Sequence, residues 1–334
     1  MKLRCLGCSA LAAFIAAALW LVSAPIAAQQ GGAAAAAVQT PQTLLPWAFQ
    51  VAPPGAKRHD DGKPHTPPGS TQPGMMQPQI DDPYGPPDWF PSDHPPMPEV
   101  VAKGRRPAVR ACAQCHLPNG LGHPESANLA GLNAVYIVQQ MQDFANEARK
   151  GSAIMTGMAA AATPEELKAS AEYFASLKMQ PWNKVVEVTT VPKTFVGAGN
   201  MRFAIEGAGA GTEPIGHRII ELPEDPVQAE LRNSHSGFVA HVPPGSIKKG
   251  EGLVTTGGNG RTLRCSICHG ADLKGLAGVP GIAGRSPIYL VRQLYSFKTG
   301  ARTGVWAPLM KGAVEKLTVE DMIAIAAYTG SRTP

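Results

Sequence analysis

Two short strings carry the reactive side chains of this sequence: Cys112-Ala-Gln-Cys115-His116 and Cys265-Ser-Ile-Cys268-His269. Two thiols three positions apart near a helix start can reach the two vinyl groups of one porphyrin. The histidine that follows then lies under the iron as its proximal ligand. Two such strings predict two covalently attached c-type haems, tethered through Cys112, Cys115, Cys265 and Cys268, with His116 and His269 on the iron. A third pair, Cys5 and Cys8, is followed by Ser9 and lacks the histidine. The alternatives are a local disulfide in each pair, which leaves the two histidines without a role, and a zinc site spanning about 150 residues of chain.

Self-comparison exposes a repeat. At an offset of 153, the run Tyr136 to Phe144 matches Tyr289 to Phe297, Arg149 matches Arg302, and Leu129-Ala-Gly131 matches Ile282-Ala-Gly284. The offset then becomes 155, pairing Met155 with Met310 and Tyr173 with Tyr328. Each copy therefore holds a methionine near 40 residues after its histidine, and a thioether is a soft iron ligand that raises the reduction potential. Met155 and Met310 are the candidate sixth ligands. Met158 competes locally with Met155 but has no counterpart in the second copy.

Helices must position these groups. Asn133 and Ser286 sit at N-cap positions, with Pro287 at the first helical position. Ile137, Met141 and Phe144 recur at helical spacing. Thr163-Pro-Glu-Glu166 and Thr318 to Asp321 read as capping boxes. Leu167, Ala171 and Phe174 form the inner stripe of the first of these helices, and Gly330 suits the C-terminus of the second.

The chain resembles the dihaem cytochromes c built of two tandem class I cytochrome c domains. The resemblance rests on both C-x-x-C-H strings, the Leu/Ile-Ala-Gly turns, the tyrosine helices, Arg149 and Arg302, the two methionines, and Ala171-Glu-Tyr173 with Ala326-Ala-Tyr328. It implies a mainly α fold, with helices wrapped round a haem in each domain, and electron transfer as the activity. It also implies that a proline carbonyl supports the proximal imidazole. Pro280 fits, but the matching position in copy one is Ala127, a departure that would let the two sites differ in potential.

The expected organisation is a signal peptide over 1–28, a Pro-rich arm over 29–96, cytochrome domains over 97–180 and 246–334, and a segment with short strands over 181–245. The leader has a basic start, an apolar run and a small-residue end, which predicts export to the periplasm. Sixteen of the 32 prolines fall in residues 41–98, a composition that favours extended backbone over a core of its own. Its closing aromatics, Trp89 and Phe90, are expected to dock on the first domain, and His94 and Met97 to be solvated. Gly197 to Gly211 reads as a flexible loop. His217, His235 and His241 lack ligand spacing to one another.

Net charge is +7 over residues 246–334 and −3 over 29–97. The basic second domain suits an acidic redox partner protein, and nucleic acid is excluded for an exported haem protein. Iron held by protein on both faces leaves no open position, which favours electron transfer over catalysis. The alternatives are a dihaem peroxidase-like enzyme, with the first haem as the open one, and the cytochrome subunit of a dehydrogenase complex, which would bring membrane association through its partners.

Overall fold

The computed structural model describes residues 45–334. The leader, with Cys5 and Cys8, and the first part of the arm lie outside the described residues. The described chain belongs to one compact unit with two main hydrophobic cores. Twelve helices are named in chain order, and the first two are single turns, α1 (Gln77–Ile80) and α2 (Glu99–Ala102).

Copy one follows with α3 (Ala113–His116), α4 (Ala134–Ala145), α5 (Ala153–Ala161) and α6 (Pro164–Ser176). The caps form as the sequence predicts. Asn133 Oδ1 accepts from Val135 N at 2.9 Å, and Thr163 and Glu166 satisfy each other's backbone N–H groups. Ile137 and Phe144 are buried as the stripe requires, but so are Tyr136, Gln140 and Asp143 on a neighbouring face. Helix α4 therefore packs on two sides, one against its own core and one against copy two.

Residues 181–245 form β1 (Asn183–Glu187), β2 (Thr190–Pro192), β3 (Thr194–Val196), β4 (Arg202–Ala204), β5 (Thr212–Pro214) and β6 (Ile220–Pro223). The turn α7 (Pro226–Glu230) and strand β7 (Phe238–Val242) complete the segment. Strand β7 is central in a three-stranded sheet, parallel to β1 with Asn183 opposite Phe238, and antiparallel to β6. The alternation of Phe238, Ala240 and Val242 toward the interior matches its pattern of period two. The glycine-rich stretch is not a free loop. Its Met201 and Phe203 are buried in the core of copy one, and β4 pairs with β3.

Copy two comprises α8 (Ser246–Thr256), α9 (Ser266–His269), α10 (Pro287–Thr299), α11 (Ala307–Val314) and α12 (Val319–Gly330), with the two-residue strands β8 (Gly275–Leu276) and β9 (Val279–Pro280) between α9 and α10. Ser286 Oγ accepts from Tyr289 N, and Thr318 and Asp321 form the second capping box. Gly330 is the last helical residue with an ordinary φ and does not act as a left-handed cap. A Cβ there would lie 2.7 Å from Pro287 Cγ, so its glycine serves a close approach of α12 to the start of α10.

The arm departs furthest from expectation. Leu45 and Ala48 are buried in the core of copy two, and Arg292 Nη1 donates to Ala48 O at 3.2 Å. Gln50 and Ala52 then bond Asn200 in the middle segment. Ile80, Trp89 and Phe90 form a small buried cluster with Leu231, and Trp89 Nε1 donates to Leu231 O at 2.7 Å. Too few apolar residues are present for an arm core, yet enough to seat the chain on surfaces that other segments supply. The aromatics dock on the middle segment rather than directly on copy one. His94 is not solvated: its side chain is buried, bonded to Asp88 and Pro95 O, with its ring edge-on to Tyr173. Met97 is partly buried against the core of copy one.

Candidate haem-binding sites

Each C-x-x-C-H string forms one helical turn. In α3, His116 N donates to Cys112 O at 3.0 Å, and in α9, His269 N donates to Cys265 O at 2.9 Å. That turn brings residues i and i+3 to one side, so each cysteine pair faces the same way. None of the four forms a disulfide. Burial pushes the Cys112 thiol up to about 12 and the Cys265 thiol up to about 11. Neither is poised as a free thiolate nucleophile, and no cluster of three or more acidic, histidine and cysteine side chains placed to hold a metal ion occurs among the described residues.

The histidines are oriented alike. His269 Nδ1–H donates to Pro280 O at 2.7 Å, and His116 Nδ1–H donates to Ala127 O at 2.9 Å. A carbonyl can only accept, so the proton sits on Nδ1 and the Nε2 lone pair is left for a metal. Burial also lowers both imidazole pKa values and keeps the rings neutral. The expected difference at Ala127 is corrected here: the supporting group is a backbone carbonyl, which alanine supplies as well as proline does.

In copy two, Cys265, Cys268, His269 and Met310 line one cavity of about 360 Å³. Met155 and Met158 both lie on α5, half-buried. Met158 Sδ accepts from Arg110 N at 3.2 Å and packs against the core of copy one, whereas Met155 is held only through its backbone N–H, by Ser152 Oγ.

Between the copies lies a polar network that the repeat contained but its reading did not assign. Arg149 of copy one donates to Tyr289 Oη and Gln293 Oε1 of copy two, each at 3.0 Å. Arg302 of copy two donates to Tyr136 Oη at 2.9 Å and Gln140 Oε1 at 2.6 Å of copy one. Each arginine also bonds the glutamine of its own copy. Equivalent residues thus exchange partners, as in a two-fold interface. The signal was present in the matched Tyr, Gln and Arg positions. Arg149, Arg285 and Arg302 are buried, and no ion pair among the described residues includes them. Arg285 and Arg302 line the copy-two cavity. Buried cations without a carboxylate suit an anionic ligand such as haem propionates. The donor set fits the group at every point: paired thiols, oriented neutral imidazoles, a thioether and unneutralised guanidiniums.

No protein-family model matches the chain. Individual relatives do. Cytochrome c-554(548) of Halomonas halodenitrificans is 39% identical over 69 residues, which is 20% of this chain and 83% of that protein. Cytochrome c4 of Stutzerimonas stutzeri is 30% identical over 139 residues, 40% of this chain and 66% of the relative. The thiosulfate dehydrogenase electron acceptor of Stutzerimonas stutzeri strain A1501 is 27% identical over 228 residues, 67% of this chain and 80% of the relative. The chain belongs to the dihaem cytochromes c. Its cofactors are two c-type haems, and its activity is electron transfer with redox partner proteins. No helix of the described residues of this cytochrome is long and apolar enough to cross a membrane.

Proposed function

We propose that the cytochrome is a periplasmic electron carrier whose irons are held by His116 with Met155 and by His269 with Met310. The copy-two cavity carries this reading, because the thiols, the oriented imidazole and the Met310 thioether meet in one space. For copy one the support is the repeat offset together with the engagement of Met158 Sδ by Arg110 N. Haem supplies a one-electron iron couple, and the chain's own residues fix its ligands and surroundings. His116 and His269 present Nε2, the buried arginines offer donors to propionates, and the apolar walls exclude water. Ligated by His116 with Met155 and by His269 with Met310, the two irons would leave no position for peroxide, which favours transfer over peroxidase chemistry. The partner we propose is an acidic protein, attracted by the net +7 of residues 246–334. The relative described as a dehydrogenase's electron acceptor supports a place downstream of a dehydrogenase.

Visible and magnetic circular dichroism spectra test the ligands. The unmutated protein should show two low-spin haems with sulfur–iron signatures. Met155→Ala and Met310→Ala should each abolish one signature, and Met158→Ala neither. A high-spin haem in the unmutated protein, or peroxide turnover by it, overturns the reading. Recovery of the haem protein in the cytoplasmic rather than the periplasmic fraction of the producing cell overturns its location.

A further inference from the structure

The two copies differ sharply at one equivalent edge. Gln114 and Ile267 each precede the second cysteine of their motif, at the offset of 153. Gln114 is 7% exposed and Ile267 58%. Gln114 is covered by the arm and the middle segment: its Nε2 donates to Asp81 O at 3.4 Å, and Arg232 Nη1 donates to its carbonyl. Arg58 pairs with Asp81 within the arm, and Arg232 of the middle segment holds the arm down by donating Nε to Ile80 O at 3.2 Å. This edge of copy one is roofed by chain that has no counterpart in copy two.

At the copy-two edge, Ile267 is exposed and stands outside the lining of the haem cavity, whereas Leu276 and Leu309 belong to that lining. Arg264, Lys274, Lys311 and Lys316 are exposed as well. The Asp and Glu ion pairs of this region, Lys249 and Arg261 with Asp321, include none of the four, and Lys274 Nζ donates to Pro334 O at 2.8 Å. Residues 261–316 hold nine Lys and Arg against two Asp and Glu, while the equivalent 108–161 hold three and three.

We propose that the edge around Ile267 is the port through which this protein exchanges electrons with its protein partner, and that the partner presents an apolar centre ringed by carboxylates. The inference rests on the electron-transfer reading and adds which copy meets the partner. The cationic ring steers the encounter, and Ile267 supplies a small apolar surface that desolvates easily, as a short-lived complex requires. Each productive encounter oxidises the partner and reduces the cytochrome by one electron, with no bond made or broken.

Stopped-flow reduction of the oxidised holoprotein by a reduced acidic [2Fe–2S] ferredoxin, as a function of salt, tests the port. The variants are Arg264→Glu with Lys274→Glu, Lys311→Glu, and Ile267→Asp at copy two. Those at copy one are Arg110→Glu with Lys150→Glu, and Ile154→Asp in α5, whose flanking residues 151–164 carry no charge. The copy-two changes should lower the low-salt rate constant about ten-fold or more and flatten its salt dependence, while the copy-one changes stay within about two-fold. Equal losses at copy one, or copy-two rates within about two-fold of the original, overturn the port. Should Ile267→Asp fail to load haem, Ile267→Ser serves in its place. Haem-to-protein ratio and full reduction by dithionite are recorded for the unmutated protein and every variant. An unmutated protein without two reducible covalent haems sinks the electron-transfer reading itself, whereas normal haems with insensitive rates sink the port alone.

Discussion

Glu221 shows how a single side chain can tie stability to pH. It is 2% exposed, its Oε2 accepts from Ser286 Oγ and Ile288 N at the start of α10, and its Oε1 is unpartnered. Burial pushes its carboxyl up to about 7. A carboxyl whose pKa is higher folded than unfolded favours folding most when protonated. The unfolded chain ionises first as pH rises past about 4.5, so stability falls between pH 4.5 and 7 and levels off above. The loss attributable to this group is about 3 kcal/mol. Glu221→Gln should remove that portion of the slope, read by denaturant unfolding from pH 4 to 8. An unchanged slope contradicts the assignment. Glu125, half-buried with its carboxyl raised to about 7 by desolvation, titrates in the same direction and leaves a residual slope. A second residue-scale expectation concerns Ala127. Because its carbonyl rather than its side chain holds His116, Ala127→Ser should leave the spectrum and potential of the first haem in place, and a shifted potential would show that the side chain matters.

Helices α8 and α12 cross with almost no space between their backbones. A Cβ on Gly250 would lie 1.9 Å from Ala324 O. Gly250→Ala should therefore force the helices apart and cost about 1–3 kcal/mol, despite the better helix propensity of alanine. Thermal unfolding measures it, and a stabilised variant would mean that the crossing is looser than described. Thr163→Ala, which breaks the capping box of α6, should cost about 1 kcal/mol by the same measurement. At this scale much was legible. The caps at Asn133, Thr163, Ser286 and Thr318 could be read directly because capping is local chemistry. The two haem turns could be read because attachment demands fixed spacing. What could not be read were pairings set by distant chain. Met201 and Phe203 look like loop residues until copy one accepts them, and Trp89 looks set to dock on copy one until Leu231 of the middle segment covers it. The parallel pairing of β1 with β7 joins residues 55 apart, and no local pattern announces it.

Across the whole molecule, the exchanged arginines hold the copies in register. Arg149 and Arg302 share Gln140 and Gln293 as acceptors. Removing one costs one tyrosine its arginine but leaves both glutamines satisfied by the other, whereas removing both leaves the glutamines without donors as well. Arg149→Ala and Arg302→Ala should accordingly be non-additive, with a coupling of about 0.5–3 kcal/mol in a double-mutant cycle of chemical unfolding. Strict additivity would mean that the two halves of the network act independently. The sequence matched these positions in pairs but gave no hint that each would bond its opposite copy, because an internal repeat records likeness and not contact.

The seating of Leu45 and Ala48 in the core of copy two also constrains the order in which a polypeptide can finish folding. The ribosome delivers these residues long before α10 and α12, the surfaces that bury them. During synthesis Leu45 and Ala48 must wait, uncovered, for nearly the last residue, and the fold closes by joining an early segment to a late one. Such closure makes the mean contact separation large and the final step slow. It also leaves a chain cut short before α12 with an apolar stretch at its front and no place to put it.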